Sequence, residues 1–455
     1  MPHSVASLDT LSDFEFFQRS FDPDSGLLTL SWRWHHLDDA IPPVEFRETF
    51  VFPEALRCSP DRQRSLDAAF DLLHWIAGVS YWKIRCSGSV RFNGSAPDSW
   101  QAQQLEQVYQ QGLAELAWRN HLINEQYWPR FSDVAGASNV LPSPPPQSTP
   151  DDRVLVALGG GKDSLVALER VRRAGIQPHT IQIGPSRRIQ QTAEAACLQH
   201  WVVERTLAPQ LKPFNDAGAI NGHVPITAIN SATLLVAAIL SDFGAVVFAN
   251  ERSSDEPTLV YQGQPINHQF AKSHAFEVTL NQWIKQYISK DIEVFSLLRR
   301  DTELAICREF AGLKRYHPVF SSCNRNFHVD GPRTDRWCGH CPKCLFVYLA
   351  LAPFMQPAEL RTIFARDLLD DPTLIEGFSQ LLELDGHRPF ECVGSAAEAR
   401  AAVQLLHASD AWCAHPVVRA LHDRMIECGA ELDGAQLDAL MQPAGPDCIP
   451  ARMLA

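Results

Sequence analysis

The chain has 455 residues, 45% hydrophobic and 20% charged, which is too long for one compact core and ordinary for a globular protein of about two or three domains. Its 40 Lys+Arg against 53 Asp+Glu leave a formal net charge of −13, against a life on nucleic acid or anionic lipid, where basic surface supplies most of the affinity. No run reaches the ~18 apolar residues of a membrane span, and Met1-Pro2-His3-Ser4 lacks the marks of a signal peptide, so the expected address is the cytoplasm.

Strand-like runs open the chain. Phe14-Glu15-Phe16-Phe17, then Leu27 to Trp32 behind the turn cluster Asp22-Pro23-Asp24-Ser25-Gly26, then Val44 to Phe52, predict a small antiparallel sheet. Leu66, Phe70, Leu73 and Ile76 recur at helical spacing. So do Leu105, Tyr109, Leu113 and Leu116, behind the capping pattern Asp98-x-x-Gln101. Seven of the 11 tryptophans fall in the first 130 residues; they read as core aromatics, the alternative being a stacking platform for a base or sugar. Leu141 to Pro150 is proline-rich and should be an extended spacer. It separates an N-terminal α+β module, residues 1–140, from the remainder of the chain, with the linker at 141–152.

After the linker the pattern changes. Val154 to Leu158, His179 to Ile183, Trp201 to Val203 and Ala245 to Ala249 read as strands, and helical segments near Gln190 to Gln199 and from about Ala228 to Phe243 alternate with them. Such alternation predicts an α/β fold with a parallel sheet, helices on both faces and a ligand at the carboxyl ends of the strands. That domain is placed at 153–355. From about Pro357 the chain reads as all-helical, with a capping box at Ser395-Ala396-Ala397-Glu398, giving a C-terminal helical module at 356–455.

Between the first of these strands and its helix lies Leu158-Gly159-Gly160-Gly161-Lys162-Asp163-Ser164-Leu165. Successive glycines turn backbone N–H groups toward a phosphate, and the helix N-terminus adds its positive end. The loop is not a Walker A motif, because Lys162 is followed by Asp; it is a poor dinucleotide fingerprint, because the third glycine position is Ser164. The bland reading is a helix entry capped by Asp163 and Ser164. A second site signal is the strand tip Asn250-Glu251-Arg252-Ser253-Ser254-Asp255-Glu256, preceded by the segment Gly222-His223-Val224-Pro225 with Asn230 ahead of a long helix. A third is Asn267 to Glu277, where a helix would bring His268 and Lys272 onto a shared face, with His274 and Glu277 beyond; the bland reading is a polar helix face.

Cys323 and Trp337-Cys338-Gly339-His340-Cys341-Pro342-Lys343-Cys344 give Cys-x14-Cys-x2-Cys-x2-Cys. Four thiolates suit tetrahedral Zn²⁺; soft sulfur also suits an iron–sulfur cluster, and metal-free thiols are the third possibility. His340 is an alternative ligand to one cysteine.

The glycine loop resembles the PP-loop of the ATP pyrophosphatases, with Gly159 where that pattern has Ser. The resemblance implies cleavage of ATP between the α- and β-phosphates, with Gly159, Gly160, Gly161, Lys162 and Ser164 about the pyrophosphate, Arg252 nearby, and Asp163 on Mg²⁺ or Mn²⁺. A similar cysteine knuckle holds structural zinc in 7-cyano-7-deazaguanine synthases. The order of motifs is wider still: Ser80-Tyr81-Trp82-Lys83, the glycine loop, the Asn250 tip, Gln269-x-x-Lys272-Ser273, the knuckle, and Arg388-Pro389-Phe390-Glu391-Cys392-Val393-Gly394. In that order, from about residue 10 to 450, the chain resembles the MurL family, the UDP-N-acetylmuramoyl-L-alanyl-L-glutamate epimerases of peptidoglycan precursor synthesis. The resemblance implies that ATP adenylates the α-carboxylate of the terminal L-glutamate before its α-proton is exchanged. Candidate acids and bases are Glu251, Asp255, His268, His274, Glu277 and Lys272, with Cys392 and Cys197 behind them. Arg187, Arg188, Arg252 and Lys272 are candidates for the substrate's anions. The rival readings are another adenylating enzyme (nitrile synthase, amidase or RNA thiolase) and an inactive nucleotide-binding module.

Overall fold

Alternating large apolar residues set the first strands. In Leu11–Asp22 (β1), Leu27–His36 (β2) and Val44–Val51 (β3), side chains such as Phe14, Phe16, Leu28, Leu30, Trp32, Trp34, Phe46 and Phe50 are buried on one side. The computed structural model describes residues 8–53, 62–134, 136, 153–326, 336–384 and 386–454. The proline-rich segment 141–152 lies outside them. The turn between β1 and β2 needs Gly26, which has φ +69°; a Cβ there would sit 2.3 Å from the Phe52 carbonyl oxygen.

Then come α1 (Gln63–Ala77), α2 (Val79–Trp82), β4 (Ser89–Phe92), α3 (Ser99–Gly112) and α4 (Ala114–Arg119). The Asp98–Gln101 capping box is formed. The single helix expected through Leu105 and Leu116 breaks at Leu113, which ends α3 and starts α4. Pro225 packs against Gly112 at this break, where a Cβ would lie 2.6 Å from its ring.

The parallel part alternates as expected: β5 (Arg153–Ala157), α5 (Lys162–Arg173), β6 (Gln177–Ile183), α6 (Arg187–Ala196), β7 (His200–Thr206), α7 (Leu211–Asp216), α8 (Ile226–Leu240) and β8 (Ala245–Phe248). Asn230 lies inside α8 rather than ahead of it, because the helix starts directly after Pro225. A small hairpin, β9 (Leu259–Tyr261) and β10 (Gln264–Ile266), precedes α9 (His274–Trp283), β11 (Glu293–Ser296) and α10 (Glu303–Ala311). The rest is helical: α11 (Pro342–Leu351), α12 (Pro357–Phe364), α13 (Ile375–Leu381), α14 (Ala396–His407), α15 (Pro416–Glu427) and α16 (Gly434–Leu440).

The antiparallel strands do not form a separate sheet. One nine-stranded mixed sheet runs β11-β8-β5-β6-β7-β3-β2-β1-β4, joined where β3 pairs antiparallel with β7 through Thr49–Thr206, Phe50–Arg205 and Val51–Glu204. Glu48 beside this joint is fully buried and is held by Arg205 Nε at 2.5 Å and Tyr81 Oη at 2.8 Å. Because side chains alternate across a strand, the sheet divides the core in two. Leu155, Ile181, Val203, Val246 and Val294 face a core shared with α1, α3, α8 and α9. Val154, Val156, Val247 and Phe295 face one shared with α5, α10, α11 and the C-terminal helices. Buried Trp32, Trp34 and Trp82 bear out the core reading of those aromatics. Among the described residues no helix is long and apolar enough to cross a membrane.

His74 of α1 sits in the first core, packed on Phe16 and Trp32, and donates Nε2–H to the Ser31 carbonyl at 3.0 Å. Burial pushes it down from 6.5 to about 4 despite that bond. The unfolded chain therefore takes up a proton below pH 6.5 that the folded chain refuses until about pH 4. Stability attributable to His74 is present above that window and falls by up to about 1.4 kcal/mol per pH unit on acidification through it. His74→Gln should flatten the urea-unfolding free energy across this range relative to wild type; identical slopes would place the acid sensitivity elsewhere.

Candidate functional site

From β5 the chain steps through β6 to β7 in one direction, whereas β8 and β11 lie on the other side of β5. The strand order thus reverses between β5 and β8, the position where open α/β sheets take ligands. The glycine loop leaves the carboxyl end of β5, and Asn250-Glu251 leaves that of β8. Gly160 has φ +77°, and its carbonyl accepts from Ser321 N at 3.0 Å. A Cβ on Gly161 would meet Ser322 Oγ at 2.7 Å, whereas one on Gly159 would meet nothing within 4 Å. Ser164 Oγ donates to the Gly161 carbonyl at 3.0 Å and accepts from Gly159 N at 3.4 Å. The loop is therefore closed on one side by Ser322 and open at Gly159.

Beneath it lies a buried charge network. Lys162 is fully buried, and its ammonium is bonded to both Asp163 and Glu303. Burial opposes that charge, yet the two carboxylates hold it protonated, well above the usual lysine range. Burial likewise opposes charge on Asp163, but Lys162, Lys343 and Lys272 outweigh it and hold the carboxyl below its ordinary value. Glu303 goes the other way: burial and Asp163 raise it to about 7 against the pull of Lys162 and Lys343. Glu398 Oε1 accepts from Glu303 N at 2.5 Å, and its Oε2 accepts from Ser395 N at 2.5 Å. The capping box expected at Ser395 thus also anchors the start of α10. Lys343 of α11 lies 3.9 Å from Glu303 and donates to the Cys392 carbonyl.

The polar segment 267–277 is not one helix. Phe270–Lys272 is a single 3-10 turn, and Ser273 stops it by capping α9, its Oγ accepting from Phe276 N at 3.2 Å. His268 and Lys272 are nonetheless brought together, by the loop before α14. Gln269 Nε2 donates to the Val393 carbonyl at 3.4 Å, and Lys272 Nζ donates to Gln269 Oε1 at 3.0 Å. Arg388 pins the same loop, donating to the carbonyls of Gly394 at 2.8 Å and Pro257 at 3.0 Å. The half-buried Cys392 thiol then shares its surroundings with the His268 ring and the Lys272 ammonium, each of which interacts with it. Burial would raise this thiol, but Lys272, His268 and Lys343 bring it down to about 6. His268 Nδ1 lies 2.5 Å from Glu115 Oε2, and Glu115 is also held by Arg119 at 2.6 Å. Burial would lower His268; Cys392 and Glu115 raise it to about 9. The His223 ring packs tilted against His268 with centroids 4.1 Å apart, and burial and that neighbour push it down to about 3.

The other expected site residues are placed differently. Glu251 is buried, and its carboxylate is felt by Lys272, Glu303 and Glu398, so it belongs with the network. Glu277 is buried under Arg299, at 3.1 Å. Asp255 accepts from His274 N at 2.6 Å, and His274 Nε2 faces Cys448 at 4.0 Å. Arg252 reaches the carbonyls of Gln442 at 3.3 Å and Ala439 at 3.5 Å, at the end of α16. Arg187 and Arg188 open α6, and Cys197 closes it in the left-handed conformation, φ +54°.

The four cysteines converge, each offering sulfur within 4.8 Å of the others. Zn–S bonds of ~2.3 Å in a tetrahedron require sulfurs about 3.8 Å apart; Cys338 and Cys344 are 3.7 Å apart, and Cys341 N donates to Cys338 Sγ at 3.3 Å. The set fits the ion. His340 is exposed, its Nδ1 on the Cys338 carbonyl, so the converging donors are four sulfurs.

Comparison with known proteins agrees with this architecture. Residues 6–297 match the MurL N-terminal domain and residues 319–435 the MurL C-terminal domain. The chain belongs to the MurL family. A relative from Xanthomonas oryzae pv. oryzae is 39% identical over 97% of this chain and 95% of its own. Others from Salinispora tropica (40%, 90% and 89%) and a Micromonospora species (40%, 90% and 90%) are as similar. All three are named UDP-N-acetyl-alpha-D-muramoyl-L-alanyl-L-glutamate epimerase. The MurL-family chain described here is accordingly an isomerase. Its Glu115, Lys343, Glu303 and Glu398 escaped the sequence reading: Lys343 was visible only as knuckle spacing, Glu398 only as a cap, and nothing local marked Glu115 or Glu303.

Breaking a buried ion pair leaves a charge without a partner and costs ~3–5 kcal/mol. Lys162→Met should therefore lower the urea-unfolding free energy by about that much, and adding Glu303→Gln should restore part of the loss. A single-variant effect below about 1 kcal/mol would show that the network does not hold the loop.

Proposed function

We propose that this chain inverts the terminal L-glutamate of UDP-N-acetylmuramoyl-L-alanyl-L-glutamate to D-glutamate in peptidoglycan precursor synthesis, with ATP cleaved to AMP and pyrophosphate. The observation that carries the reading is the glycine loop at the strand-order reversal, seated on Lys162, Asp163 and Glu303, in a chain whose relatives bear that epimerase name. The chemistry needs both halves. Removing a proton beside an ionised carboxylate would place two negative charges on adjoining atoms. Transfer of AMP to the α-carboxylate removes the first charge and makes the carbonyl an electron sink. Each 1.36 kcal/mol of carbanion stabilisation is worth about tenfold in rate.

In this reading Gly159, Gly160, Gly161 and Ser164 receive the phosphates and Lys272 balances anionic charge. Asp163 is the carboxylate for Mg²⁺ or Mn²⁺, which would neutralise the phosphate oxygens. The Cys323–Cys338–Cys341–Cys344 set would hold a structural Zn²⁺ with no open position, stapling the start of α11 and so Lys343. The N-terminal, nucleotide-binding and C-terminal regions act as one unit about the site. The setting is the cytoplasm, where thiols stay reduced; the described cysteines are free.

Incubated with ATP, Mg²⁺ and the UDP-linked L-glutamate substrate, the enzyme should release AMP and pyrophosphate only when that substrate is present, and chiral analysis should recover D-glutamate. Asp163→Asn should cut AMP release by about 10²-fold or more. D-glutamate formed without ATP would sink the adenylation step; AMP without inversion would sink the epimerase. Elemental analysis should find close to one zinc per chain, lost in Cys344→Ala.

A further inference from the structure

The loop Arg388–Gly394 delivers one nucleophilic side chain that the adenylation machinery does not use. Cys392 is half-buried, within reach of an imidazole and an ammonium. The imidazole is backed by a carboxylate: His268 Nδ1 is on Glu115 Oε2 at 2.5 Å. The carbonyl of Cys392 is tied to Lys343 and that of Val393 to Gln269, so the backbone that carries the thiol is held at two successive residues. Lys343 bonds the Cys392 carbonyl and lies 3.9 Å from Glu303, the partner of Lys162, so the loop that carries the thiol adjoins the network under the glycine loop. Thiols among cations are thiolates near neutral pH, and this one is shifted in that direction. A structural cysteine gains nothing from such partners.

We infer that Cys392 is a proton-transfer residue of the epimerisation, its thiolate oriented by the His268–Glu115 pair and Lys272. The inference rests on the reading of the chain as an adenylating epimerase. In the step, the Cα–H bond of the adenylated glutamyl group breaks and an S–H bond forms on Cys392. The electron pair left on Cα moves into the Cα–C bond, and the carbonyl π pair moves onto oxygen, beside the Lys272 ammonium. An acid group on the opposite face returns a solvent-derived proton to Cα, water then cleaves the acyl–phosphate bond to leave the D-glutamate carboxylate and AMP, and Cys392 loses its own proton to water, so the cycle closes without an oxidant or reductant. Lys272 and His268 are then positioning residues, acting through the sulfur and the developing oxyanion.

The test runs the holoenzyme in D₂O with ATP, Mg²⁺ and the UDP-linked L-glutamate substrate, and measures two quantities together: deuterium gained at the glutamate α-carbon and AMP released. Positioned acid–base groups contribute about 10²–10⁴-fold. In Cys392→Ala and Cys392→Ser the ratio of α-deuterium to AMP should fall by at least about 10²-fold, with thermal melts near wild type confirming the fold. A ratio within about threefold of wild type in either variant overturns the assignment. Loss of AMP release in both variants, with the fold intact, also overturns it, because it moves Cys392 into adenylation. Failure of the underlying reading looks different: wild-type enzyme would then release no substrate-dependent AMP at all, whatever the variants do.

Discussion

A lysine with no access to water, bonded at once to two carboxylates, is the contact on which the site depends. Lys162 follows the last glycine of the loop, Asp163 is its neighbour, and Glu303 comes from α10, which packs on the same face of the sheet as α5. Desolvating three such groups is costly, and only their mutual attraction with good hydrogen bonding offsets it. The arrangement therefore exists only when α5 and α10 are in register, and the shape of the glycine loop is coupled to that register. Glu303 in turn is fixed by Glu398 through its own backbone N–H. The loop that would meet phosphate is thus wired to a helix that starts more than two hundred residues later in the chain.

The same wiring explains how distant regions contribute to one place. Glu115 comes from α4 and His268 from the loop after β10. Lys343 comes from the helix that succeeds the cysteine knuckle, and Cys392 from the loop before α14. The contacts between these parts are short polar ones supported by aromatic packing, as where Arg119 lies 4.9 Å over the Phe390 ring and Trp118 packs on it at 5.2 Å. A thiol, an imidazole and three lysines would be ordinary on separate surfaces. Packed together out of bulk water, each alters the charge state of the next, and groups that shift one another's proton affinities in this way gather where proton chemistry is done.

Much of this was legible in the chain. Period-two alternation marked β1 to β3, short apolar runs marked the parallel strands, and the capping boxes at Asp98 and Ser395 formed where they were read. The cysteine spacing foretold convergence of four sulfurs because an x2 spacing can close only locally. What stayed hidden was non-local. Nothing in Thr49-Phe50-Val51 says that its partner is β7. Gly112 reads as an ordinary helix residue until Pro225 arrives from another part of the chain. Ser273 looked like one more polar residue in a helix, yet its hydroxyl captured Phe276 N and split the segment. Cys392 ranks in the sequence only behind the other candidate acids and bases, since the cations that change its character lie 49 to 124 residues away.

The joint between β3 and β7 carries a consequence of its own. A strand at the rim of a sheet offers unpaired N–H and C=O groups to any passing chain, and proteins guard such rims. Here β7 has no rim, because β3 occupies it, and Glu48 with Arg205 and Tyr81 locks the occupant in place. The antiparallel strands thus act as a built-in shield for the parallel half. Removing β3 would leave the edge of β7 unpaired and open to another chain.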